Sequence, residues 1–88
     1  MFHISIYIEK DFKMGKYIIN NNIRKFRFNN GEMTQQQLAE KAGVTRQTIV
    51  SMEKGKYSPS LELAFRIAQV FNVSLDELFS YDLKDNSN

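Results

Sequence analysis

From residue 23 onward, apolar residues recur at steps of three and four, which is the spacing of one face of an α-helix. Near both ends of the chain the spacing changes to two, as in a half-buried β-strand. The pattern therefore predicts a mainly helical domain with short β segments at its ends. The predicted core consists of Ile23, Phe26, Leu38, Ala39, Ala42, Val44, Ile49, Met52, Ala64, Ile67, Ala68, Phe71, Val73, Leu75 and Leu78.

Capping residues divide the helical part into five predicted helices. Thr34 with Gln37, and Ser74 with Glu77, follow the capping-box pattern, in which two residues satisfy each other's free backbone N–H groups. Gly43 suits the left-handed turn that ends a helix. The first helix is predicted to begin after Asn20, Asn21 or Asn22 and to run to about residue 28, and the others cover about 35–42, 46–54, 61–71 and 75–79.

The ends of the chain differ from this helical centre. Residues 2–8 alternate between apolar and polar side chains, which predicts a strand, and a polar linker follows them. Shorter β-like runs lie at 17–19 and 79–83. The predicted organisation is an N-terminal extension over 1–15, one domain over 16–83 and a polar tail over 84–88.

Composition excludes several classes of function. The 88 residues suffice for one domain, and the absence of cysteine rules out disulfides, thiolate metal sites and a cysteine nucleophile. The single histidine, His3, cannot form a zinc site alone, and no nucleophile–base pair, carboxylate pair or phosphate loop is visible. We therefore expect no enzyme, metal or cofactor. With no apolar run near the ~20 residues of a membrane span and no signal-peptide pattern, we expect a cytoplasmic protein.

Charge is unevenly distributed along the chain. Residues 16–59 carry eight basic and three acidic side chains, whereas residues 60–88 carry two basic and five acidic ones. Such a division is typical of a protein that presents one face to a polyanion, although ordinary surface charge explains it equally well.

The segment 34–55 carries the strongest functional signal, because it predicts two short capped helices joined by a turn that contains Gly43. Two such helices crossing steeply form a helix-turn-helix. Ala39 is small enough for the second helix to pass close to the first, and Val44 and Ile49 are predicted to point inward and fix the angle. The outer face and leading end of the second helix then carry Thr45, Arg46, Gln47, Val50 and Ser51.

These five side chains suit base recognition in the DNA major groove. Arginine pairs with guanine, glutamine pairs with adenine, and valine meets the methyl group of thymine. Residues 45–52 contain no acidic side chain, whereas an ordinary solvated helix face more often carries Glu and Lys pairs. We therefore predict that Thr45, Arg46, Gln47, Val50 and Ser51 contact bases, although Thr45 is also explained by its role as a cap.

The run G-E-M-T-Q-Q-x-L-A-x-x-x-G-V-T-R-Q-T-I at 31–49, continued by E-K-G-K-Y-S-P-S-L-E-L-A at 53–64, resembles the Cro/cI-type or XRE family of helix-turn-helix regulators. The resemblance covers about residues 20–79. It implies an all-α, five-helix, lambda-repressor-like DNA-binding domain with the second helix of the motif in the major groove. Some members carry short strands before the first and after the last helix, an arrangement that 17–19 and 79–83 match as a small paired sheet.

The resemblance also implies roles for individual residues. Lys54, Lys56 and Tyr57 match positions that contact phosphates, and Gln35 matches one that contacts a phosphate or braces the second helix. Glu53 is expected to form a structural ion pair with an arginine of the first helix. Arg27 matches that arginine best, and Arg24 is a second candidate.

The remaining apolar residues predict a contact surface. Leu63, Phe65, Phe79, Tyr81 and Leu83 fall outside the core stripe. They either pack against the β segments or form a two-fold interface, and we favour the interface because a protein that reads two half-sites needs one.

We therefore predict a homodimeric regulator that binds a palindromic operator in double-stranded DNA and acts as a repressor. The alternative is an antitoxin or another protein-interaction module that uses the same domain. Residues 1–13 keep this alternative open, since they are an upstream extension before a native start at Met14, an ordered strand, or an edge that binds a protein partner.

Overall fold

The computed structural model describes residues 17–83, which form five helices and one two-stranded sheet. The predicted strand over 2–8, the linker and the tail over 84–88 lie outside the described residues. No described helix is long and apolar enough to cross a bilayer. The elements are β1 (Tyr17–Asn21), α1 (Ile23–Asn29), α2 (Gln35–Ala42), α3 (Arg46–Glu53), α4 (Leu61–Phe71), α5 (Leu75–Leu78) and β2 (Phe79–Leu83).

Side-chain caps place the starts of four helices. Both predicted capping boxes form: at α2, Thr34 Oγ1 accepts from the Gln37 N–H at 3.0 Å while Gln37 Oε1 accepts from the Thr34 N–H at 2.8 Å. The same exchange joins Ser74 and Glu77 at α5. Thr45 and Ser60 cap α3 and α4 through their hydroxyl groups. Because these bonds involve residues three apart, the sequence pattern alone could locate them.

The start of α1 uses a different arrangement. Asn22 occupies the cap position without a side-chain cap bond. Instead, Asn21 Oδ1 accepts from the Ile23 N–H at 3.2 Å, and Asn22 Nδ2 donates to the Glu77 carbonyl at 2.9 Å. The two asparagines therefore fasten the β1–α1 junction to α5 as well as to α1.

The two strands pair antiparallel, with Ile19 opposite Tyr81 and Asn21 opposite Phe79. Since side chains alternate along a strand, residues 19, 21, 79 and 81 share one face of this ribbon. Phe79 is half-buried against the core, whereas Ile19 and Tyr81 are exposed. The expectation of an all-helical domain with a small terminal sheet is confirmed.

The core corrects one prediction about the contact surface. Leu63 is only 6% exposed and belongs to the buried cluster, so its assignment to a dimer interface is wrong. The buried stripe of α4 is wider than predicted, because Leu63 joins Ala64, Ile67 and Phe71 on the inner side. The exposed apolar residues of α4 are instead Leu61, at 67%, and Phe65, at 54%. Met33, which precedes α2, is a further core residue that the periodicity did not indicate.

The difference between Leu63 and Leu61 can be tested by a matched pair of substitutions. Leu63→Ala should lower the free energy of unfolding by about 2–4 kcal/mol, because it opens a cavity in the core. Leu61→Ala should lower it by less than about 1 kcal/mol, since the side chain is already mostly in solvent. Urea unfolding followed by circular dichroism measures both, and equal losses would contradict the inward position of Leu63.

Candidate nucleic-acid interface

A short glycine turn sets the crossing of α2 and α3. Gly43 ends α2 in the left-handed conformation, with φ of 76°, which glycine adopts without a Cβ penalty. The Val44 N–H donates to the Ala39 carbonyl at 3.0 Å and closes the turn. Ala39 and Ile49 are fully buried between the helices, so α3 packs closely on α2. This is the predicted helix-turn-helix.

The leading end of α3 projects its polar side chains away from the core. Thr45, Arg46 and Gln47 are exposed, and Val50 and Ser51 are half-buried beside them. Within residues 17–83, the Arg46 guanidinium has no hydrogen-bond or ion-pair partner. Gln47 Nε2 donates to Ser51 Oγ at 3.4 Å, one helical turn further on. The five residues predicted to contact bases therefore lie together along one side of α3.

The opposite end of α3 is held by a buried ion pair. Arg27 on α1 donates from Nε to Glu53 Oε2 at 2.7 Å and from Nη2 to Glu53 Oε1 at 3.0 Å. The two side chains are 8% and 10% exposed. Arg27 Nη1 also donates to the Met33 carbonyl at 2.8 Å, so the guanidinium joins α1, α3 and the segment before α2. This is the pair expected from the resemblance, with Arg27 rather than Arg24 as the partner.

Two neighbours complete this cluster. Gln35 Nε2 donates to Glu53 Oε1 at 3.2 Å, so Gln35 braces α3, which is one of the two roles expected for it. Arg24, the second candidate partner, lies instead over the ring of Phe28, with its Cζ 5.3 Å from the ring centre. Arg24 therefore stays on the surface while Arg27 carries the ion pair.

The residues expected to contact phosphates gather where α3 ends. Lys54 is the C-cap of α3, and Lys56 and Tyr57 follow in the loop, all three exposed. The Lys56 N–H donates to the Ser51 carbonyl at 2.9 Å, which holds the first part of this loop against the helix. The loop thus lies beyond the C-terminal end of α3, while Arg46 and Gln47 lie at its N-terminal end.

Sequence reasoning missed two side chains that hold the motif. Arg66 Nη1 on α4 donates to the Ala42 carbonyl at 2.7 Å, and Asn21 Nδ2 on β1 donates to the Met52 carbonyl at 2.9 Å. Each acceptor is a backbone oxygen, which is present at every residue. No pattern of side chains could therefore have indicated these two contacts.

A helix-turn-helix family model matches residues 23–78, which extends from α1 to α5. The chain belongs to this family. It is a small helix-turn-helix regulator of the XRE type, and DNA is the partner of such domains. The expected absence of an enzymatic activity is consistent with a family of transcription regulators.

Individual proteins agree with this assignment. A transcriptional regulator from Archaeoglobus fulgidus, itself uncharacterized, is 55% identical over 64 residues, covering 73% of this chain and 90% of that protein. The transcriptional activator BcrR from Enterococcus faecalis is 44% identical over 48 residues, covering 54% of this chain and 24% of that protein. The crystal structure of a candidate DNA-binding protein from Bacteroides fragilis superimposes with a TM-score of 0.62 at 27% identity, covering 72% of this chain and all of that one.

The ion pair predicts a specific response to substitution in this XRE-type domain. Glu53→Ala should lower the free energy of unfolding by about 3 kcal/mol, because it leaves the buried Arg27 charge without its partner. The measurement is urea unfolding at neutral pH. Glu62→Ala provides the control, since its ion pair with Arg66 joins side chains that are 81% and 41% exposed and should contribute less than about 1 kcal/mol.

The double variant Arg27→Met with Glu53→Leu separates the two possible causes of that loss. It removes both charges together and should be more stable than Glu53→Ala, because no buried charge is left unpaired. A double variant less stable than the single one would mean that the specific contacts of Arg27, rather than its charge, dominate.

Proposed function

We propose that this XRE-type regulator binds double-stranded DNA in a sequence-specific way by inserting α3 into the major groove. The observation that carries the proposal is the exposed leading end of α3, where Thr45, Arg46 and Gln47 point away from the core. The residues that begin a recognition helix are the ones that reach base edges. Because no side chain among residues 17–83 holds the guanidinium of Arg46, its donors are available for guanine O6 and N7.

The remaining contacts follow from positions along the same side of the domain. Val50 and Ser51 lie one turn beyond Arg46 and Gln47, where a thymine methyl or a base edge is within reach. Lys54, Lys56 and Tyr57 extend beyond the end of α3 and are proposed to contact phosphates, which position a protein on the duplex without reading sequence. Gln35 is proposed to contact a phosphate with the part of its amide that Glu53 does not hold.

We further propose that the chain acts as a homodimer on a palindromic operator. Leu61 and Phe65, four residues apart, expose two large apolar side chains on one side of α4. Tyr57, Ile19 and Tyr81 border the same open groove as Leu61 and extend this apolar surface to the ribbon. Burial between two copies removes such a surface from water, and a helix-turn-helix dimer reads two half-sites about 34 Å apart.

We propose that the regulator represses transcription rather than activating it. A dimer bound across a promoter blocks access of polymerase without needing any further chemistry, and the proposal includes no catalytic residue or cofactor. The activator role of BcrR makes activation the competing outcome. A reporter gene placed behind the operator, with and without the regulator, distinguishes repression from activation by the direction of the change.

The base contacts are tested with an operator selected from a random pool of duplexes. Arg46→Ala and Gln47→Ala should each reduce the preference for the operator over scrambled DNA by about fivefold to 150-fold, since a bidentate base contact contributes about 1–3 kcal/mol. Lys56→Ala should weaken binding to both duplexes alike and reduce the slope of log K against log salt by about 1. If all three variants behaved like the parent in titrations at several salt concentrations, α3 would not be the reading helix.

The dimer is tested by a matched pair of phenylalanine substitutions. Phe65→Glu should shift the chain from dimer to monomer in analytical ultracentrifugation, because it places a charge in the apolar interface. Phe28→Glu changes another exposed phenylalanine, on α1, outside the proposed interface, and should leave the dimer intact. A monomeric parent chain would contradict the dimer, and a stable complex with a different protein would favour the antitoxin alternative.

A further inference from the structure

A charged side chain from outside the helix-turn-helix contacts the turn between its two helices. Arg66 lies on α4, and its Nη1 donates to the Ala42 carbonyl at 2.7 Å. Its Nη2 donates to Glu62 Oε2 at 2.9 Å, so the two nitrogens face two different partners. One partner is the backbone of the motif, and the other is a surface carboxylate on the same helix as Arg66.

The Ala42 carbonyl lies at the C-terminal end of α2, where it needs a hydrogen-bond donor from outside the helix. The last carbonyls of a helix have no N–H partner within it, and the negative end of the helix dipole lies there. At the end of α2 the N–H groups of Gly43 and Val44 both donate to the Ala39 carbonyl, which leaves Ala42 to Arg66. A guanidinium at this position satisfies the carbonyl and interacts favourably with the dipole.

The glycine of the turn supports this arrangement. A Cβ built on Gly43 would lie 3.4 Å from Arg66 Nη1, an ordinary van der Waals distance, so the guanidinium packs directly against the turn. Glycine is favoured at this position by the positive φ of 76°, which residues with a Cβ rarely adopt. Gly43 and Arg66 together fix the segment immediately before Thr45.

We propose that Arg66 is a positioning residue for DNA reading, which acts through Ala42 and the turn and does not itself contact the duplex. It fastens the turn to α4 and so fixes where Thr45, Arg46 and Gln47 stand relative to the rest of the domain. This inference rests on the proposed function of α3. Small displacements of these side chains disrupt bidentate base contacts, which require correct geometry, more than they disrupt phosphate contacts, which act mainly through charge.

The ion pair with Glu62 does not explain the role of Arg66. The side chain of Glu62 is 81% exposed and that of Arg66 is 41% exposed, and exposed pairs contribute little because solvent screens them. The Arg66 donor to Ala42 and the Glu62 carboxylate can therefore be removed in separate variants. The two variants should differ in their effect on operator binding.

Three variants test the proposal. Arg66→Met keeps the apolar stem but removes the donors, Arg66→Lys keeps one donor for Ala42, and Glu62→Gln removes only the carboxylate charge. Affinity for the selected operator and for scrambled DNA is measured at a temperature where circular dichroism shows each variant fully folded. Arg66→Met should lower the operator preference about tenfold, with a loss of less than about threefold on scrambled DNA. Arg66→Lys should stay within about threefold of the parent, and Glu62→Gln should match it.

A second readout is independent of DNA. Hydrogen exchange at the Val44 amide, which closes the turn, should be faster in Arg66→Met than in Glu62→Gln, while core amides of α4 exchange as in the parent. Unchanged operator preference in Arg66→Met would overturn the proposal, as would an equal loss in Glu62→Gln or a general loss of protection that marks Arg66 as a residue of global stability. A parent chain without operator preference would instead contradict the proposed function, whereas the Val44 exchange would still report whether Arg66 holds the turn.

Discussion

The buried pair between Arg27 and Glu53 is the interaction on which the position of α3, the proposed recognition helix, depends. A guanidinium and a carboxylate that are both about nine-tenths buried are costly to desolvate, so each requires the other and further hydrogen bonds. The Met33 carbonyl and the Gln35 amide supply those bonds. Because the four groups come from α1, the loop before α2, the start of α2 and the end of α3, the charges can be satisfied only when these segments are assembled correctly.

Two other hydrogen bonds from side chains to the backbone hold the same motif at different points. Arg66 holds the Ala42 carbonyl at the turn before α3, and Asn21 holds the Met52 carbonyl near its end. Between these points, Ile49 and Met52 bury the inner side of α3 in the core. The helix is therefore fixed from α1, α4 and the ribbon, and the exposed side chains of Arg46 and Gln47 take no part in these contacts. These two positions are therefore available for the base contacts that we propose.

Local features could be predicted from the sequence because their causes lie within a few residues. The caps at Thr34 and Ser74 set the starts of α2 and α5, and Gly43 ends α2 at the expected position. Contacts between segments that are far apart in the chain could not be predicted from the sequence. Arg66 binds a backbone oxygen that no motif marks. Leu63 is a different case, because it lies four residues before Ile67 and eight before Phe71, and this helical spacing is enough to place it on the buried side of α4. The ion pair could be predicted only from the family resemblance. Arg24 and Arg27 both lie on α1, and the sequence alone does not say which of them pairs with Glu53.

The burial of Glu53 also resolves an electrostatic conflict. A carboxylate on a helix that approaches DNA would repel phosphates, and Glu53 is the acidic residue of α3. Its charge is matched by Arg27 inside the protein, and little of it reaches solvent because the side chain is 10% exposed. The charged groups that α3 and the following loop present to solvent are then the cationic side chains of Arg46, Lys54 and Lys56. A single acidic residue can therefore anchor α3 without weakening its positive surface, which is what the proposed approach to a polyanion requires.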